Sequence, residues 1–214
     1  MLKVFRPHPA KETKIKAILF DIGGVMVKDE YYPFFKNFES ATGMTKEELY
    51  LDLVKSQELI DYELGSINSE QFWKRVGEKY RIKKEILGLI RKFWPTVLIP
   101  IPGMAGLVQG LRKNYVVGAI SNIGSEMAGY LQQTYNTYEL FDFVILSYKV
   151  HLRKPDPKIY QLALRKAKAK PGETFFTDNF YENVEGAAKL GIHAARFESL
   201  AQVKRELARL GVPI

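Results

Sequence analysis

A doubly wound α/β fold, with a parallel sheet in a Rossmann-like core and an α-helical cap domain inserted into it, is predicted by three observations. Short apolar runs rich in β-branched residues recur along the chain, and from the second onward they alternate with helix-like segments. The stretch between the first and second runs is far longer than one crossover requires. That stretch carries helical periodicity and capping signals without strand alternation.

The elements follow in order. Residues 1–13 read as a basic tail, and the run 16–27 (KAILFDIGGVMV) as the first, buried strand. Residues 28–102 read as the helical cap. Thr45-x-x-Glu48 and Asn68-x-x-Gln71 have the form of capping boxes, and KEELYLDLVKSQELIDYEL, FWKRVGEKY and KEILGLIRKFW have the spacing of amphipathic helices. Pro95, Pro100 and Pro102 mark the return to the sheet domain. The runs 115–122 (YVVGAISN), 141–147 (FDFVILS), 174–179 (TFFTDN) and 193–197 (HAARF) supply four more strands. Asp156-Pro157 has the form of an N-cap followed by a first-turn proline, and Gly191 that of a helix-ending C′ glycine. The core is thus expected to comprise residues 14–27 and 103–214.

Composition narrows the function. With 46% hydrophobic and 26% charged residues the chain has the profile of a soluble globular protein. No apolar run approaches the roughly 18 to 20 residues of a membrane span, and the opening MLKVFRPHPAKETKIK is broken by charges and prolines, so no membrane association and a cytoplasmic setting are expected. The absence of cysteine removes disulfides, thiolate nucleophiles and cysteine-ligated metals. His8, His151 and His193 are isolated and form no ligand pattern. Residues 28–102 carry 12 basic and 12 acidic side chains, so the whole excess of the net charge of +8 lies outside the cap. The densest basic stretch runs over 149–170, where Asp156 is the single acid; a solvated helix face accounts for Arg165 to Lys170. No nucleic-acid partner is expected, because neither aromatic interleaving nor a reading motif accompanies these charges.

In open α/β sheets ligands bind at the carboxyl ends of the strands. The first strand ends in Asp21-Ile22-Gly23-Gly24, the second in Ser121-Asn122, and the third is followed by Arg153-Lys154-Pro155-Asp156. The fourth ends in Asp178-Asn179, with Asn183 beyond. An aspartate before two glycines lies where a ligand approaches backbone closely, and it suits either nucleophilic attack on a phosphoryl group or a hard cation shared with Asp178. Taken singly, Asp21 also suits a turn cap, Ser121 a helix cap and Lys154 a surface position.

Together these residues carry a resemblance. FDxGGV, a strand ending in SN, then RKPDPxIY, then a strand ending in an acid followed by NVEGAAKLGI, with a helical insertion after the first motif, is similar to the haloacid dehalogenase-like hydrolase superfamily. KPDPKIY and NVEGAAKLGI resemble its phosphatase and epoxide-hydrolase-N-terminal-like branch. The resemblance implies a phosphatase acting on a small phosphorylated substrate. Asp21 would form an aspartyl-phosphate, and Ser121, Asn122 and Lys154 would hold the phosphate. Mg2+ would sit on Asp21, the Gly23 carbonyl, Asp178 and Asn179. The cap would exclude water, and the protein would act as a monomer or homodimer; Tyr31 and Tyr32, the cap aromatics nearest the first motif in sequence, are the candidates for substrate contact. The other cap aromatics, Phe34, Phe35, Phe38, Trp73, Phe93 and Trp94, are expected mainly to form cap core.

Two positions depart from the family pattern. Gly23 stands where a second aspartate usually protonates the leaving group, and Asn179 where a second acid is common. These departures leave two other readings open: a non-catalytic descendant that binds a phosphorylated ligand or a partner, and a metal-independent dehalogenase.

Overall fold

The computed structural model describes residues 14–29 and 38–214. Five parallel strands form the sheet, in the order β5-β4-β1-β6-β7. They are β1 (Ala17–Phe20), β4 (Val116–Ser121), β5 (Phe143–Leu146), β6 (Thr174–Asp178) and β7 (His193–Arg196). Alternate side chains feed opposite faces, as the pleat dictates. Ile18, Phe20, Val117, Ala119 and Phe175 join one buried cluster, completed by α5 (Met104–Leu111) and α10 (Leu200–Arg209). Leu19, Ile120, Ile145 and Phe176 join a second, completed by α8 (Pro157–Ala167) and α9 (Tyr181–Lys189). The central strands β1, β4 and β6 are therefore dry on both faces, which is why they read as continuous apolar runs, whereas the edge strand β7, expected to be buried, is partly exposed along its length.

The register sets the site. Phe20 lies opposite Ala119 of β4 and Thr177 of β6. The next residues, Asp21 and Asp178, consequently emerge side by side at the carboxyl edge, with Ser121 closing β4 on the other flank. The Asp21 amide still donates to the Thr177 carbonyl at 2.9 Å, so its backbone is held to the sheet.

The run 16–27 is not one strand. After Phe20 the chain turns through residues 22–26, with Val27 and Met26 amides both donating to the Ile22 carbonyl, and a separate strand β2 (Val27–Asp29) begins. It pairs antiparallel with β3 (Leu98–Pro100), and this two-stranded ribbon carries the chain into and out of the insertion. Gly24 has φ +75°, a conformation that only glycine adopts without strain, and the Gly-Gly pair is what permits the turn.

Between the ribbon strands the described chain is helical. A stretch over 38–42 precedes α1 (Lys46–Val54), α2 (Gln57–Glu63), α3 (Ser69–Lys79) and α4 (Lys84–Phe93). Thr45 and Asn68 form the two capping boxes expected for α1 and α3. Ser56 caps α2, which divides the periodic text after Thr45 into two helices. Phe38, Trp73 and Trp94 are buried, in the same apolar cluster as Ile18 and Phe20 of the sheet, whereas Phe93 is exposed. The core helices α6 (Ser125–Tyr135) and the single turn α7 (Ser147–Val150) follow β4 and β5. Asp156 caps α8 with Pro157 in its first turn, and Gly191, at φ +83°, follows the end of α9. Among the described residues no helix is long and apolar enough to cross a membrane.

Candidate active site

Lys154 is the centre of the site. Although lysine is the side chain most often left in water, only 1% of this one is exposed. Its ammonium lies 2.7 Å from Asp21 Oδ1 and 2.5 Å from Asp178 Oδ2. The basic stretch 149–170 is accordingly not one solvated face, because it passes through the protein interior here. Lys154 follows a loop rather than a strand, and Asn122 fixes it there. The Lys154 amide donates to Asn122 Oδ1 at 2.8 Å, and Asn122 Nδ2 returns a bond to the Lys154 carbonyl at 2.9 Å. The side chain of Asn122 is thus committed to the loop, next to Ser121, which is buried at the end of β4.

Asp178 is completely buried and multiply bonded. Its Oδ1 accepts from the Phe180 amide at 2.8 Å, and Asn183 Nδ2 donates to both oxygens at 3.0 and 3.1 Å. Tyr160 in turn donates to the Asn183 carbonyl at 2.8 Å, bracing the start of α9 from α8. Asp21 has fewer supports. The Ile22 amide and Lys154 both bind Oδ1, which leaves Oδ2 as its less committed oxygen.

Two carboxylates against one ammonium leave a negative charge uncompensated in a dry place. Burial and then the Asp178 charge push the Asp21 acid up to about 7, against the pull of Lys154. For Lys154, burial works to strip its proton, but Asp178 and Asp21 outweigh it and hold the ammonium above its ordinary range.

The surplus charge invites a cation, and the available donors are oxygens. Among the described residues no cluster of three or more acidic, histidine or cysteine ligands exists, so Asp21 and Asp178 are the charged donors here. Asn179 supplies a telling feature. Its Oδ1 is buried and accepts no hydrogen bond, and its side chain lies so close to Gly24 that a Cβ there would fall 2.4 Å from Nδ2. An orphaned amide oxygen on the residue after Asp178, packed against Gly24 in the turn that follows Asp21 and includes the Gly23 carbonyl, makes with the two carboxylates a set of oxygen donors of the kind a hard divalent ion such as Mg2+ takes.

Tyr31 and Tyr32, with Phe34 and Phe35, lie outside the described residues. The sequence reading of the strand ends did not single out Glu63 or Tyr62, which reach the site's loops from the cap. Neither has a local signal, because no local pattern relates Tyr62 to Ser125 and Glu126 more than sixty positions away, or Glu63 to Arg153 ninety positions away.

Parallel strands deliver an aspartate, a serine and a second aspartate to one edge, with a buried lysine between the acids, an arrangement suited to nucleophilic attack on an anionic group. Residues 15–191 match the haloacid dehalogenase-like hydrolase family, and the chain belongs to it. It is 26% identical over 211 residues to D-ribitol-5-phosphate phosphatase of Bacteroides thetaiotaomicron, covering 90% of this chain and 97% of that protein. It is 27% identical over 205 residues to glyceraldehyde 3-phosphate phosphatase of Methanopyrus kandleri, covering 85% and 83%. For some other relatives the match spans a minor part, as with mouse bifunctional epoxide hydrolase 2, 39% of whose length is covered at 23% identity. In fold, it superposes on a haloacid dehalogenase family enzyme from Bacteroides thetaiotaomicron in its magnesium complex, with a TM-score of 0.72, 24% identity and coverage of 89% and 98%. The TM-score to a dehalogenase, at 19% identity and coverage of 91% and 97%, is 0.66.

Proposed function

We propose that this protein is a Mg2+-dependent phosphatase of small phosphorylated metabolites, acting in the cytoplasm as a monomer or homodimer, with Asp21 as nucleophile. The observation that carries this reading is the convergence of Asp21, Asp178 and Lys154 at the carboxyl edge of the sheet. The phosphatase relatives that span nearly the whole chain support the substrate class.

In this reading Asp21 Oδ2 attacks phosphorus. A carboxylate-oxygen to phosphorus bond forms as the ester oxygen departs, and water then attacks the aspartyl-phosphate to release inorganic phosphate and free Asp21. Lys154 and the Ser121 hydroxyl hold phosphoryl oxygens, while Asn122 keeps the Lys154 backbone in place. Asp21, the Gly23 carbonyl, Asp178 and Asn179 hold the cation. When bound, Mg2+ offsets the charge of two approaching anions and favours the ionised form of Asp21. Gly23 offers no proton, so the leaving group departs without help from that position. Residues 28–102 act as the cap and residues 14–27 with 103–214 as the core, the cap excluding water during the first step, with Tyr31 and Tyr32 as candidates for substrate contact.

The test is hydrolysis of a panel of phosphorylated metabolites with and without Mg2+. Expected are turnover that requires the metal and its loss in Asp21→Asn, with the fold retained. Retained turnover in Asp21→Asn would exclude the covalent route, and halide release from a haloacid in EDTA would favour the dehalogenase reading.

A further inference from the structure

Four consecutive residues at the end of α2, 62–65, each touch the core, and each does so beside a loop that carries a phosphate-holding residue. Tyr62 Oη accepts from the Glu126 amide at 2.9 Å and shares a hydrogen bond of 3.2 Å with Ser125 Oγ, just beyond Ser121 and Asn122. Its ring packs against Gly124, where a Cβ would fall 2.0 Å from it. The Glu63 carboxylate receives Arg153 Nε and Nη2 on one oxygen, both at 2.9 Å. The Leu64 carbonyl accepts from His151 Nδ1 at 2.8 Å, and Gly65 abuts the Tyr148 carbonyl so closely that a Cβ would lie 2.4 Å from it.

Glu63 is the unusual member. It is 9% exposed and belongs to the cap, yet its partner precedes Lys154 in the chain. Burial pushes its pKa up, against the pull of Arg153 and then Lys154. An acid in such a place persists because a guanidinium meets it, and the guanidinium is thereby held in turn. The Arg153–Lys154 segment is thus gripped from both sides: by Glu63 from the cap, and by Asn122 from the core.

We propose that Glu63 is a positioning residue, which through Arg153 sets Lys154 against Asp21 only while the cap is seated. The ion pair makes cap closure a condition for the catalytic arrangement, so that attack on phosphorus is coupled to exclusion of water. The inference rests on the phosphatase reading for its consequence in turnover, but its structural half stands apart from any activity.

The experiment compares the full-length protein with Glu63→Gln and with the exchanged pair Glu63→Arg/Arg153→Glu. Amide hydrogen exchange is followed in peptides spanning 150–156, and kcat and KM are measured on p-nitrophenyl phosphate with Mg2+. Glu63→Gln is expected to raise exchange over 150–156 by about fivefold, because the Arg153–Lys154 segment loses the ion pair at Arg153 and keeps only its Asn122 anchor. It should lower kcat by about tenfold while KM moves by less than about threefold, as expected for a misplaced catalytic group. The exchanged pair should recover much of both. A faster exchange confined to residues 57–65, with 150–156 as in the wild type, would reduce the pair to a structural contact and overturn the proposal. If Glu63→Gln does not fold, Arg153→Lys, which keeps the charge and loses the fork, carries the same expectations at smaller size. Wild-type protein without phosphatase activity, together with the expected exchange response, would overturn the phosphatase reading and leave the coupling of cap to Lys154 in place.

Discussion

Adjacent glycines at the end of β1 do different work. Gly24 requires its left-handed backbone and its lack of a side chain, because Asn179 occupies the space a Cβ would take. Gly24→Ala is therefore expected to destabilise the protein by about 1–3 kcal/mol, measured by urea unfolding, with metal binding weakened as Asn179 is displaced. Gly23 has no such constraint: nothing lies within 4 Å of a Cβ built there, and its φ is not in the left-handed region. Gly23→Asp should fold. It should raise turnover of an alkyl phosphate by about 10²-fold, the lower end for proton transfer, and that of p-nitrophenyl phosphate much less, since that leaving group needs little protonation. Equal effects on both esters would show that proton transfer to the leaving group is not what Gly23 lacks. Asp21 adds a dependence on pH. Its pKa is raised from 3.8 to about 7, so between those values the folded state binds more protons than the unfolded one, and stability falls as pH rises. Melting temperatures in EDTA should therefore decline from about pH 4 to pH 7, and decline less in Asp21→Asn. Glu63, also raised, contributes a slope of the same sign that the substitution leaves in place.

At the scale of elements, the buried lysine is held by a loop that bonds to the ends of β4 and β5 and to the helical insertion. Ser147, at the end of β5, ties its hydroxyl to the Ile123 amide at 3.0 Å, which joins the two loops that follow Ser121 and precede Lys154. Removing the cation from this assembly leaves Asp21 and Asp178 facing each other unpaired. Lys154→Met is expected to cost about 3–5 kcal/mol at pH 8, with the loss shrinking towards pH 5 as an acid takes up a proton; unfolding at the two pH values measures it. The capping boxes at Thr45 and Asn68 and the Asp156-Pro157 start were legible in the sequence because each is made by residues within four positions of one another. The β2–β3 ribbon was not legible. Its strands are three residues each and lie some seventy positions apart, so neither has the length to show a period, and their pairing exists only once the insertion has folded between them.

For the molecule as a whole, metal binding should appear as stability. Mg2+ at about 100 times its dissociation constant should add about 2.7 kcal/mol through mass action, and Asp178→Asn should abolish that increment in a thermal-shift titration. What the sequence by itself determined is the sheet, the insertion after the first strand, and which strand ends carry polar chemistry. Those features follow from burial, and burial leaves its mark in every apolar run and every cap. The likeness of FDxGGV, KPDP and NVEGAAKLGI to one family was legible for the same reason, since each motif is a local turn or helix start. Only the tertiary structure decided that Lys154 is buried between two aspartates, that the Asn122 side chain is committed to the Lys154 backbone, and that Glu63 reaches Arg153. Each of these is a contact between residues distant in the chain. Its energy depends on the dielectric and the geometry that packing creates, and no string of neighbouring side chains encodes either.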